Sequence, residues 1–119
     1  MRLVTRAILA LALVGAVAAC GGAPASSSAT ETATLNASEF AFDPGTLEVA
    51  AGAKLTLTLA NKGTIEHDFT IDSLAIRLHA PVGQSPSVTT DAMAAGAYDF
   101  YCSIPGHKEA GMIGTLTVK

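Results

Sequence analysis

Near the C-terminal end, the stretch Cys102-Ser-Ile-Pro-Gly-His107-Lys-Glu-Ala-Gly-Met112 places a thiol, an imidazole and a thioether at C-x4-H-x4-M spacing. It directly follows a run with strong strand character. Pro105, Gly106 and Gly111 let so short a loop fold back on itself, which can aim all three side chains at one point. A second imidazole, His67, lies on the inward face of a separate period-two run. Each residue taken singly has an ordinary explanation. An inward histidine can be satisfied by a backbone carbonyl, a buried cysteine behaves as a small hydrophobe, and methionine fills gaps in cores. Taken together, two imidazoles, one thiolate and a weak axial thioether are the ligand set of a mononuclear blue-copper electron-transfer site.

The cysteine count bears on the same question. The chain has two cysteines, and residues 1–19 read as an export signal: Arg2 and Arg6, thirteen uncharged residues from Ala7 to Ala19, and a small-residue exit. The apolar run is short of the about 20 residues that span a bilayer. Val17-Ala18-Ala19-Cys20 resembles the lipobox of bacterial lipoproteins, with Cys20 the lipidated first residue of the mature chain. The alternative is a soluble export signal that happens to contain a cysteine. Residues 20–33, small and polar without apolar periodicity, read as a flexible tether. Acyl chains on Cys20 would anchor the protein at a membrane without spanning it. Cys102 is then left without a disulfide partner, and a metal would occupy its thiolate.

The elements that must position these residues lie in a domain expected over residues 34–119. Leu47 and Val49 alternate with Glu48, and Leu55, Leu57 and Leu59 alternate with Lys54, Thr56 and Thr58. Asn61-Lys62-Gly63 signals a turn. Ile65, His67, Phe69 and Ile71 then share one face, with Thr64, Glu66, Asp68 and Thr70 on the other. Residues 72–86 are open between strand and packed loop. Ser87 to Thr90 reads as a strand, and Asp91 to Ala95 is the best candidate for a short helical turn. Tyr98, Phe100 and Cys102 share a face, as do Met112, Gly114, Leu116 and Val118. Six to eight short strands separated by turn residues predict an all-β sandwich or barrel.

Composition narrows the function. A chain of 119 residues with 50% hydrophobic residues is expected to form one folded domain, and neither a multidomain enzyme nor a disordered polymer. Seven Lys and Arg against ten Asp and Glu provide no basic footprint for nucleic acid. Without Arg2 and Arg6 the balance becomes five cations against ten anions, mildly favouring a basic partner surface.

Two segments carry a family resemblance: Asn61-Lys-Gly-Thr-Ile-Glu-His67-Asp-Phe, and Tyr101-Cys102-Ser-Ile-Pro-Gly-His107-Lys-Glu-Ala-Gly-Met112. Over about Thr34 to Lys119 the chain resembles the cupredoxins, the small blue-copper (type 1) proteins that include plastocyanin, azurin and auracyanin. The resemblance implies a Greek-key β-sandwich of about eight strands with one copper ion, cycling between Cu(I) and Cu(II), at one end. It implies His67 and His107 as imidazole ligands, Cys102 as thiolate and Met112 as axial donor. It also implies that His107 reaches the surface within an apolar patch, to which Pro105, Gly106, Ala110, Gly111 and Ile113 would contribute. Many relatives have Asn after the first histidine; here it is Asp68, which either faces solvent, as strand parity suggests, or pairs with Ser103 beside the site.

A dinuclear copper centre would need a second cysteine in the loop, and multicopper enzymes carry histidines beside the cysteine where this chain has Tyr101 and Ser103. With four ligands no position stays open for substrate. The expectation is therefore a monomeric, non-enzymatic one-electron carrier between membrane-associated redox proteins. It would be lipid-anchored outside the cytoplasm, in the periplasm or on the outer face of a bacterial cytoplasmic membrane. The alternative is copper capture or delivery with the same ligands.

Overall fold

The computed structural model describes Gly21 and residues 28–119; the export signal, Cys20 and residues 22–27 of the tether lie outside the described residues. Among the described residues nine strands form two mixed sheets: β1 Thr30–Ser38, β2 Ala41–Asp43, β3 Thr46–Val49, β4 Lys54–Asn61, β5 His67–Ile71, β6 Ile76–Ala80, β7 Ser87–Thr89, β8 Gly96–Tyr101 and β9 Ile113–Val118. The orders are β2-β1-β4-β7 and β3-β9-β8-β5-β6. The β1–β4 and β3–β9 pairs are parallel and the rest antiparallel, so the chain crosses between sheets repeatedly.

The leucine alternation does what its period requires. Leu55, Leu57 and Leu59 point into the core, each stabilising the fold by about 1.5–3 kcal/mol. On the opposite face Thr56 pairs with Thr89 at 2.8 Å and Thr58 with Ser87 at 2.7 Å, which fastens β7 to β4. From the second sheet Phe69, Ile71, Phe100, Leu116 and Val118 close the same core. Gly114 faces inward with them because Phe100 needs its space. A Cβ at 114 would lie 2.2 Å from the Phe100 ring.

Two expectations change, and one open stretch is settled. Thr30 to Ala33, assigned to the tether, belong to β1, where they pair with Lys54 to Leu57. Asp91 to Ala95 form no helix. Met93 is buried there, and its N–H and carbonyl bond to Ala53 and Gly52 at 3.2 and 2.8 Å. Five residues anchored across the chain in this way have no helical bonds to offset the cost of a nucleus. The open stretch after β5 resolves into a 3-10 turn over Asp72–Leu74, then β6 and a loop.

The strand β5 is buried along its whole length. It sits between β8 and β6, with Phe69 and Ile71 toward the core and Asp68 and Thr70 covered on the other side. His67 opens this strand, at the end of the sandwich where β8 runs into the 102–112 loop.

Candidate metal centre

His67 is fully buried, and neither of its ring nitrogens has a hydrogen-bond partner among the described residues. Buried imidazole nitrogens are costly to leave unpaired, so this ring is built to meet something else. Cys102 leaves β8 into the same space, also fully buried, and its Sγ lies 3.4 Å from His107 Nδ1. Donor atoms of His67, Cys102 and His107 all fall within 4.8 Å of one another.

Local hydrogen bonds shape the loop that carries two of these donors. The Cys102 N–H donates to the Met112 carbonyl at 3.0 Å, and the Met112 N–H donates to the His107 carbonyl at 3.1 Å. The His107 N–H donates to Ile104 at 3.0 Å. Gly106 and Gly111 take φ of 85° and 102°, the left-handed conformation that glycine adopts without a Cβ penalty.

The electrostatics suit a soft cation. Burial, reinforced by the neighbouring His107, pulls the His67 pKa below its ordinary value, which keeps the imidazole neutral and able to donate a lone pair. Burial pushes the Cys102 thiol up, against the Asp68 backbone N–H that donates to its sulfur at 3.3 Å. A bound cation inverts that balance, because a coordinating thiol is deprotonated outright. Two buried imidazoles and a thiol, with no carboxylate in the group among the described residues, favour copper over the hard divalent ions.

A family model of the cupredoxin-like domain matches residues 8–118. The chain belongs to the cupredoxin-like family. It is 33% identical over 98 residues to the copper-resistant cuproprotein CopI of Rubrivivax gelatinosus, a match covering 66% of this chain and 59% of that protein. It is 47% identical over 49 residues to auracyanin-B of Chloroflexus aurantiacus, covering 41% of this chain and 21% of that one. The chain thus spans about three-fifths and about one-fifth of these two relatives' lengths. The structure of reduced auracyanin from Roseiflexus castenholzii superposes with a TM-score of 0.68 at 24% identity, covering 76% of this chain and 98% of that one. The all-β fold is thus that of the cupredoxins, and the cofactor of the His67–Cys102–His107 centre is copper.

Within this cupredoxin, Met112 is fully buried and its main chain is bonded to both Cys102 and His107. Asp68 does not face solvent. Its carboxylate accepts from the Ser103 N–H at 2.6 Å, from the Ser103 hydroxyl, and from Arg77 Nε at 3.3 Å. Arg77 also forms an ion pair with it at 3.2 Å. One residue thereby ties the His67 strand to the residue after Cys102, through both its main chain and its side chain. Strand parity was a poor guide because β5 is flanked and covered on both faces.

His107 contributes little surface of its own to this loop. Pro105, Gly106, Ala110, Gly111 and Ile113 are exposed, but His107 is only 6% exposed, its ring packed among Phe40, His67 and Cys102.

Sequence reasoning missed several supporting residues. Asn61, read as part of a turn and as the start of the first family segment but given no role at the site, is buried; its amide donates to the Ile65 and Ala80 carbonyls at 2.8 and 2.9 Å and accepts from the Gly63 N–H at 2.9 Å. Its signal was a polar residue at the inward-facing end of the leucine run. Arg77, Glu39 and Phe40 carried no comparable signal, since their partners are remote in sequence.

Proposed function

We propose that this cupredoxin is a one-electron carrier between membrane-associated redox proteins. The observation that carries the reading is the enclosure of the four residues: His67, Cys102 and Met112 are fully buried and His107 is 6% exposed. A catalytic metal keeps a position open to substrate; this set supports a non-enzymatic role. Copper held here supplies a Cu(I)/Cu(II) couple. His67 and His107 would hold the copper through imidazole nitrogens, Cys102 through its thiolate and Met112 through its thioether. The bonds among residues 102–112, and those from Asp68 and Asn61, hold the donors in one arrangement and exclude water, so little has to move when the charge changes. The protein acts as a monomer outside the cytoplasm, held to a bacterial membrane by acyl chains on Cys20. Among the described residues no helix is long and apolar enough to cross a membrane.

A visible spectrum of the copper-loaded protein, titrated with a mild reductant, tests the carrier role. An intense thiolate-to-copper band that bleaches and returns reversibly is expected, with Cu(I) retained against a chelator. The absence of that band, or its failure to return, refutes the role. Membrane fractionation of Cys20→Ala tests the anchor: the variant should be released, and continued membrane association counts against lipidation.

The likeness to a copper-resistant cuproprotein favours a second reading, copper capture or delivery. Ready transfer of Cu(I) to a chelator or acceptor protein would make it the better account.

A further inference from the structure

The turn joining β1 to β2 consists of Glu39 and Phe40, and it touches both histidine-bearing segments. Phe40 has a φ of 62°, a left-handed conformation that bulky residues rarely adopt. Its side chain lies outside the core cluster and the residue is 43% exposed, so burial does not account for its conformation. What the ring does contact is His107, edge-on, with centroids 5.2 Å apart and planes at 87°. The loop's backbone bonds fix the main chain of His107; Cys102 Sγ, 3.4 Å from Nδ1, and the Phe40 ring both narrow the rotation open to its side chain.

Glu39 acts on the other side. Its carboxylate accepts from the Thr64 N–H and, at 2.9 Å, from the Thr64 hydroxyl, within the loop that leads into His67. That loop is also tied to the end of β1 by the Lys62 N–H donating to the Ala37 carbonyl at 2.8 Å. Gly63 lies between the carboxylate and the imidazole. A Cβ at 63 would stand 2.7 Å from Glu39 Oε1 and 3.0 Å from His67 Nε2. The glycine lets the turn, the loop and the ring close on one another.

We propose that the Glu39–Phe40 turn is a clamp on the metal centre, in which Glu39 positions the His67 loop and Phe40 positions the His107 ring. Both are positioning residues that act through the histidines. The clamp rests on the copper centre and not on the carrier role, so it holds equally for a protein that delivers copper.

Glycine suits the φ of residue 40, so Phe40→Gly removes the ring without demanding a new backbone. Three quantities are compared with wild type: the rate at which a chelator strips copper, the NMR shifts of the His107 ring protons in the metal-free protein, and the metal-free melting temperature. Phe40→Gly should speed copper removal about two- to tenfold, the equilibrium value of an edge-to-face aromatic contact. It should also move the His107 signals, with melting unchanged or raised. Phe40→Tyr, which keeps the ring, should restore both rate and signals, and Glu39→Ala should speed removal without moving the His107 signals. Unchanged removal and His107 signals in Phe40→Gly, or a change that Phe40→Tyr does not reverse, overturns the proposal. So does a fall in the metal-free melting of Phe40→Gly that parallels its loss of copper, since the ring would then be merely structural.

Discussion

Cys102, His107 and Met112 are held by main-chain hydrogen bonds that begin and end within residues 102–112. His67 is held by contacts from across the molecule: Asn61 reaches Ala80, Glu39 reaches Thr64 and Asp68 reaches Ser103, separations of 19, 25 and 35 residues. One half of the centre is thus a local loop, and the other is assembled by the packed sandwich. A change inside the loop should alter the metal's donors and leave the fold standing. A change among the braces of His67 should cost stability as well as site geometry, because those bonds also hold strands and loops together.

Cys102→Ser makes the most severe test of the local half. It should abolish the blue band while circular dichroism still reports a folded β protein; a variant that stays blue removes the thiolate from the centre. Next comes the tie between the halves. Asp68→Ala leaves the half-buried Ser103 N–H without its carboxylate and Arg77 without its partner. The loss should be about 1–3 kcal/mol, read from urea unfolding of the metal-free protein. Asp68→Asn, which keeps an acceptor, should lose less, and if both variants unfold like wild type the two halves are not coupled there.

A milder change returns to the loop. Met112→Gln should replace the thioether with a stronger oxygen donor and lower the reduction potential with little effect on unfolding, and voltammetry showing an unshifted potential would place Met112 outside the ligand set. The smallest effect is expected at Glu39. Hydrogen bonds from Thr64, the backbone N–H first, hold its pKa down from 4.5 to about 2. A depressed carboxylate stabilises the fold above its unfolded value, so this contribution is complete above pH 4.5 and fades as the pH falls toward about 2. Acid titrations of metal-free wild type and Glu39→Gln should converge across that window. Parallel curves would mean that the Glu39 charge contributes nothing to the His67 side.

The same division explains what could be read in advance. The ligand loop was legible because its donors, its glycines and its proline are contiguous, and β4 because leucines alternate without interruption. The strand β1 was only partly legible. It is half-exposed and carries one large apolar side chain, Leu35; parallel pairing with β4 makes it a strand. Asp68 gave opposite signals, since alternation puts it outside while the neighbouring strands and the 102–112 loop cover that outside face. Gly114 reads as a gap in an inward row, and only the Phe100 ring lying against it shows why the gap is there.

The sequence by itself determined which donor atoms the protein offers, that three of them share one short loop, and that the scaffold is built of strands. These follow from side-chain chemistry and from periodicities that act over a few residues. Only the tertiary structure decided that Asp68 is buried against Ser103 and Arg77, that His107 lies under Phe40, and that Glu39 grips the approach to His67. Those contacts join segments far apart in the chain, and no local pattern encodes a hydrogen bond whose partner is brought in by strand pairing and sheet packing.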